Sequence, residues 1–294
     1  MSGPPVIAAA SRALGTPIDA AARVAGGDIN EAWRLRLADG REAFLKTRPG
    51  AEPGEYEHEA AGLEWLAEPA GGLPVPAVLA VFDEDEGRGL VLEWVEEGRL
   101  DGGGEELLGA GLARIHRAGA PAFGATAPSS PDVPLRFGGV EVPAGEGPCW
   151  PELYAERIDR LAARAYDGGR LDRRAAAAVN AVAKCLDELA GPREEPSRVH
   201  GDLWSGNVHA ASDGRPWLID PAAHGAHREI DLAMLRLFGS VSGRTLAAYE
   251  EVSPLSPGHE DRMALWQIQP LLVHAILFGG SYGSAAGRAA SLYL

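Results

Sequence analysis

The sequence predicts an α+β protein of two lobes, a small β-rich lobe followed by a larger, mainly helical one. Three observations carry this. Apolar and polar residues alternate in parts of the first ninety-odd residues, and from Gly98 onward apolar residues recur at helical spacing. No internal repeat or low-complexity linker divides the chain further. Residues 1–96 and 97–294 are therefore expected as two lobes, with the ligand bound at their junction.

Taken in order, "EAWRLRLAD" alternates, "DG" supplies a turn and "EAFLKTR" continues as a strand, so Glu31 to Arg48 is expected as an antiparallel hairpin. "EYEHEAAGLEWLAE" sets Tyr56, Ala60, Leu63 and Leu66 at helical spacing behind acidic residues in its first turn; it is the one helix expected in this lobe. After the proline-rich break "GGLPVPAVLA", the segment "GLVLEWVEEG" reads as a buried strand ending near Glu96. The glycine run "DGGG" introduces a helix over "EELLGAGLARIHRA". "WPELYAERIDRLAARAY" and "LDRRAAAAVNAVAKCLDELAG" are two more, the last closed by Gly191 and Pro192. Between them, Ala120 to Cys149 is rich in Pro and Gly, follows neither period, and is expected as an extended loop. "RPWLIDPAAHG" supplies a strand ending at an acid, "REIDLAMLRLFG" a helix, and two C-terminal helices complete the chain.

The 294 residues suffice for a sizeable core, and 46% hydrophobic with 23% charged residues is ordinary for a globular protein. A formal net charge of −15 argues against nucleic acid or an anionic membrane surface as partner, since both would be repelled over most of the surface. The N-terminus lacks a cationic region ahead of an apolar core, and "PLLVHAILFGG" is too short to span a bilayer, so a cytoplasmic protein is expected. Cys149 and Cys185 stand apart and form no C-x-x-C pair; both are expected as reduced thiols.

The chemistry concentrates in "RVHGDLWSGNVHAA". Phosphoryl transfer needs an aspartate near the acceptor hydroxyl, and an amide and a carboxylate to hold magnesium on the phosphates. Asp202 and Asn207 have the D-x-x-x-x-N spacing of a kinase catalytic loop, and Asp220 follows at the end of "WLID". The small lobe should add a strand lysine and a helix glutamate, and Lys46 and Glu59 stand in that order, thirteen positions apart. Upstream, Gly26 and Gly27 in "GGDINEAW" are candidates for a turn over the phosphates of ATP, although a full G-x-G-x-x-G is lacking. Singly, each residue has an ordinary structural reading as a solvated charge or a turn; their order and spacing together do not.

These residues resemble the fructosamine kinase (ketosamine 3-kinase) family, within the aminoglycoside-phosphotransferase-like kinases of protein-kinase-like fold. The resemblance runs from about Gly26 to Tyr282 through "GGDINEAWRL", "FLKT", "EHEAAGL", "LVLEWVE", "VHGDLWSGNV", "LIDPAAHGAHREIDLAMLRLFG" and "WQIQPLLVHAILFGGSYG". H-G-D-x-x-x-x-N marks only the larger group; the Trp and Ser of "HGDLWSGN" and "HREIDLAM" are more specific. What it implies is ATP- and magnesium-dependent transfer to the 3-hydroxyl of a ketosamine, free or protein-bound, and thereby deglycation. Asp202 would be the base, Asn207 and Asp220 the magnesium ligands, Lys46 the phosphate-binding lysine and Glu59 its partner. Glu93, Trp94 and Val95 would form the hinge against adenine, Trp204 would wall the sugar, and Asp231 would brace the catalytic loop.

Some features depart from the family. His224 and Gly225 stand where aromatic residues are usual, the Pro-rich loop replaces an N-x-I-G-x-x-P-Q-like stretch, and Asp28 occupies a position where some relatives carry cysteine. His200, His209, His224 and His227 cluster in sequence, but no thiolate or H-E-x-x-H accompanies them, which argues against zinc. His200 is expected to orient the catalytic loop, and His224 and His227, in a predicted loop, are candidates to face the acceptor. Two rival readings stay open: a kinase of the same superfamily acting on an aminoglycoside or other small molecule, and a pseudokinase binding module. Retention of all five chemical residues argues against the latter. The preferred acceptor and the oligomeric state are not legible in the sequence.

Overall fold

The computed structural model describes residues 4–24, 30–85, 87–142, 145–147, 149–239 and 241–294; Gly26, Gly27 and Asp28 lie outside them. Helix α1 (Pro5–Leu14) has proline in its first turn and stops at Gly15 with φ 61°. There follow β1 (Ile18–Val24), β2 (Glu31–Leu37), β3 (Glu42–Thr47), α2 (Glu55–Ala67), β4 (Val78–Glu84) and β5 (Gly87–Glu93). The strands form one antiparallel sheet in the order β1-β2-β3-β5-β4. The expected hairpin from Glu31 is present, with Trp33 opposite Leu45, while the strand expected to reach Glu96 stops at Glu93.

Helices cover both faces of this sheet. Trp33, Leu35, Leu37, Ala43 and Leu45 pack with Ala9 and Ala10 of α1, whereas Leu90 and Leu92 pack with Tyr56, Ala60 and Leu63 of α2. Strand side chains alternate, so Lys46, next to Leu45 and paired with Leu90, turns toward α2. Helix α1 adds to the single helix expected here. It buries only Ala9 and Ala10, an apolar stripe too slight to stand out as a period.

The remaining chain is mainly helical. In α3 (Gly102–Arg117) the glycine run forms the first turn, where Asp101 Oδ1 accepts from the Gly104 amide at 2.9 Å. Among its described residues the Pro-rich segment is irregular except for a Phe123–Gly147 bridge and a short hairpin, β6 (Arg136–Phe137) with β7 (Val140–Glu141), whose strands are too brief to show alternation. Helix α4 (Trp150–Asp167) follows, and the single helix expected from Leu171 is broken at Cys185 into α5 (Arg173–Lys184) and α6 (Leu186–Leu189). Then come β8 (Ser197–Val199), β9 (Val208–Ala210), β10 (Pro216–Leu218), β11 (His224–Ala226) and α7 (Glu229–Leu237). Three helices follow rather than the expected two: α8 (Gly243–Val252), α9 (His259–Phe278) and α10 (Tyr282–Ser291). The unexpected one is α8, which buries only Thr245 and Tyr249 and so carries a weak stripe.

Helix α9 runs through the core with Pro270 inside it. Proline removes the amide that would bond the Trp266 carbonyl. The Tyr154 hydroxyl replaces it, 3.0 Å from that oxygen and 2.9 Å from the Leu265 carbonyl. No helix among the described residues is long and apolar enough to cross a membrane.

Candidate active site

Two short antiparallel pairs, β8 with β11 and β9 with β10, hold two loops side by side. One loop joins β8 to β9 and carries His200 to Asn207; the other joins β10 to β11 and carries Asp220. Backbone bonds stitch them together, from Ile219 N to Asn207 O at 3.1 Å and from Ala222 N to His200 O at 2.9 Å. Gly201 makes this approach possible: its φ is 85°, and a Cβ there would stand 2.2 Å from the Ala222 carbonyl oxygen.

Asp231, in the first turn of α7 and fully buried, accepts from the amides of His200 at 2.7 Å and Gly201 at 2.9 Å, and from His116 Nε2 at 3.1 Å. Burial acts to raise this carboxyl, but the bonds from His116 and the His200 backbone outweigh it and hold it below the usual range. His200 donates through Nε2 to the Ile219 carbonyl at 2.9 Å and accepts the Asp202 amide on Nδ1 at 3.3 Å, so it spans both loops.

Across the cleft, Lys46 Nζ lies 2.7 Å from Glu59 Oε2 and 3.1 Å from Asp220 Oδ1. Burial alone would weaken the Lys46 charge, but Asp220 and Glu59 more than restore it, so the ammonium is held protonated. Burial pushes Glu59 up to about 7 against the pull of Lys46. It likewise pushes Asp202 up to about 7, with the Asp220 charge adding and Lys46 opposing. A carboxyl poised near neutrality suits proton acceptance.

Asn207 Nδ2 donates to the Asp202 carbonyl at 2.8 Å and lies 3.5 Å from the Asp220 carbonyl oxygen. Its Oδ1 takes no hydrogen bond among the described residues, and Asp220 offers a part-exposed carboxylate from a backbone at φ 54°. That all-oxygen pair fits magnesium, which commonly takes one or two protein oxygens and completes its shell with phosphate and water.

A cavity of about 380 Å³ contains Lys46, Glu59, Asp202, Trp204, Asn207 and Asp220 in its wall. The same wall contains a set of aromatic residues for which the sequence carried no expectation. Phe238, His274, Phe278 and Tyr282 pack ring against ring, with His274 4.7 Å from Phe238, 5.6 Å from Phe278 and 5.2 Å from Tyr282. Trp204 meets Phe238 edge-on at 6.4 Å. The overlooked signal was a histidine inside an apolar helical run, with Phe278 four and Tyr282 eight residues on.

The two histidines expected to face the acceptor stand elsewhere. His224 is not in a loop but on β11, fully buried, donating from Nδ1 to Ala222 O at 2.7 Å and accepting Arg157 on Nε2 at 3.0 Å. His227 is also buried, stacked on Trp266 at 5.3 Å. Neither lines the cavity, so the structure does not bring them to an acceptor: His224 is a strand residue, while His227 does lie in the irregular turn after β11 but points into the core. The Glu93–Val95 segment also lies outside the cavity wall. It connects to the catalytic hairpin through His209 Nε2, which donates to the Val95 carbonyl at 3.0 Å, and Trp94 carries the Arg34 guanidinium at 4.3 Å over its ring.

A five-stranded sheet with a buried lysine–glutamate pair, set against a helical region carrying this aspartate–asparagine loop, defines a phosphotransferase of the protein-kinase-like class. An aminoglycoside phosphotransferase in a ternary complex with ADP and hygromycin B shares the fold at a TM-score of 0.60 and 17% identity, covering 97% of this chain and 98% of that one. A solved Thermobifida fusca structure assigned to the fructosamine-3-kinases matches at a TM-score of 0.89 and 39% identity over 99% of both chains. The fructosamine kinase profile matches residues 5–294, and a probable ketoamine kinase of Enterococcus faecium is 32% identical over 89% of this chain and 90% of its own. The chain belongs to the fructosamine kinase family.

Proposed function

We propose that the protein is an ATP-dependent kinase that phosphorylates the 3-hydroxyl of a ketosamine, an Amadori adduct of a sugar and an amine. The supporting observation is the convergence of Lys46, Glu59, Asp220, Asn207 and Asp202 on one cavity from four separate loops and elements. In this reading residues 1–96 hold the nucleotide, and 97–294 carry the catalytic loop and the acceptor wall. Asp202 orients the acceptor hydroxyl for in-line attack on the γ-phosphate and takes its proton. Lys46, fixed by Glu59, neutralises charge on the phosphates. Asn207 and Asp220 would hold magnesium, which supplies further charge stabilisation on the transferring group. Trp204 and the ring cluster that begins at Phe238 beside it flank the sugar. Phosphorylation at O3 destabilises the adduct, which gives a role in deglycation, and dependence on ATP suits the cytoplasm.

The test is ATP consumption with fructosamine, ribulosamine, erythrulosamine and aminoglycoside acceptors. Turnover with one or more ketosamines is expected. Turnover with aminoglycosides alone would replace this acceptor assignment, and none with any acceptor would remove the enzymatic reading.

A further inference from the structure

The β6–β7 hairpin places a cation in the acceptor end of the cavity that the proposed transfer does not use. Arg136 lines the same cavity as Asp202 and Trp204. Lys46, the other Lys or Arg in that wall among the described residues, is engaged by two carboxylates. Among the described residues Arg136 has one ion-pair partner, Glu141 of its own hairpin, at 3.3 Å and itself 54% exposed. An exposed, longer pair of this kind contributes little and leaves most of a five-donor guanidinium available.

The hairpin is anchored, so Arg136 does not wave in solvent. Leu135, Phe137, Val140 and Val142 are buried, Val142 N bonds to Leu135 O at 3.0 Å, and Phe137 meets His224 edge-on at 6.0 Å. The preceding stretch is tied to α2 by Ser130 Oγ, 2.6 Å from His58 Nδ1. The β7 strand packs against α9, the helix that carries His274 and Phe278. Arg136 thus belongs to the acceptor wall, while the phosphate-facing Lys46 belongs to β3.

We propose that Arg136 binds a carboxylate carried by the amine part of the acceptor, which makes ketosamines of free amino acids the preferred substrates. This rests on the ketosamine kinase reading. The sugar part of such an acceptor is neutral and its amine is cationic, so a carboxylate on the amine moiety is the anion available to pair with the guanidinium. The guanidinium fork matches that group in two parallel bonds. The amine itself is suited by Glu52, a carboxylate of the same cavity wall that the proposed transfer leaves unassigned.

The test compares fructosylglycine with fructosylmethylamine, which lacks only the carboxylate, and with a fructosylated lysine blocked at both termini. For the unaltered protein, KM for fructosylglycine is expected to be about tenfold or more below that for the other two. In Arg136→Gln the ratio should fall close to one through a rise in KM for fructosylglycine, with kcat less affected, and Arg136→Lys should recover part of it. Equal KM values in the unaltered protein overturn this proposal alone. So does an Arg136→Gln variant that raises KM for ATP, or that weakens all three acceptors equally. If only a ribulosamine or erythrulosamine is turned over, the same three amine parts are compared on that sugar; turnover with none of the three sugars overturns the functional reading as well.

Discussion

Asp202 works through its surroundings. Burial and the Asp220 charge raise it to about 7, and Asn207 and the His200 ring hold its backbone in place. Asp202→Asn is expected to lower kcat roughly 10²–10⁴-fold while the affinity for ATP, measured by titration, changes little. Asp231 is the second critical carboxylate, because three donors converge on it inside the protein. Asp231→Ala leaves those donors unpaired, and denaturant unfolding should show a loss of about 3 kcal/mol or more. Legibility at this scale followed spacing. Asp202, Asn207 and Asp220 share one short region whose loops fold together, whereas the environment of His224 depends on Arg157, 67 positions away, and a histidine in a sequence does not reveal its burial.

Helix α2 has to sit close to the Asp220 loop for Glu59, Lys46 and Asp220 to meet. Gly62 permits this: a Cβ there would stand 3.2 Å from the Ala223 Cβ and 3.7 Å from Pro221. Gly62→Val should push the helix back and raise KM for ATP several-fold more than it raises KM for the acceptor, as steady-state kinetics would show. Elements with broad apolar stripes, such as α2, α4 and α7, were legible from spacing alone. Those that escaped have little to bury: α1 offers two alanines, and each β6–β7 strand has two residues. The proposed acceptor wall escaped for a related reason, since the rings of Phe238, just past the end of α7, His274 of α9 and Tyr282 of α10 meet only after packing.

At the scale of the molecule, buried neutral histidines set a pH limit. His224 is lowered to about 3, chiefly by burial, then by Arg157; His200 and His227 are lowered by burial as well. The unfolded chain takes up the His224 proton near pH 6.5, so the folded state binds fewer protons between 6.5 and 3. Stability from this group is complete above 6.5 and falls by about 1.4 kcal/mol per pH unit below it. Asp202 and Glu59, raised to about 7, contribute in the opposite sense over the same window, so the His224 part is read as a difference: between pH 7.5 and 5 the urea midpoint of the unaltered protein should fall relative to that of His224→Gln. The order of lobes was readable because strand alternation gives way to helical spacing near Gly98 and the kinase-like residues follow one another in the succession that this fold uses, and resemblance across nearly all of the chain suggested the proposed acceptor class. The most direct test of the central claim is phosphorus NMR of ketosamine reactions with ATP and magnesium, run with the unaltered protein and with Asp202→Asn. One phosphomonoester at O3 is expected for each ADP formed, absent from the variant within the same time. Phosphate transfer at full rate by Asp202→Asn, or ATP hydrolysis with no phosphorylated ketosamine, would contradict that claim.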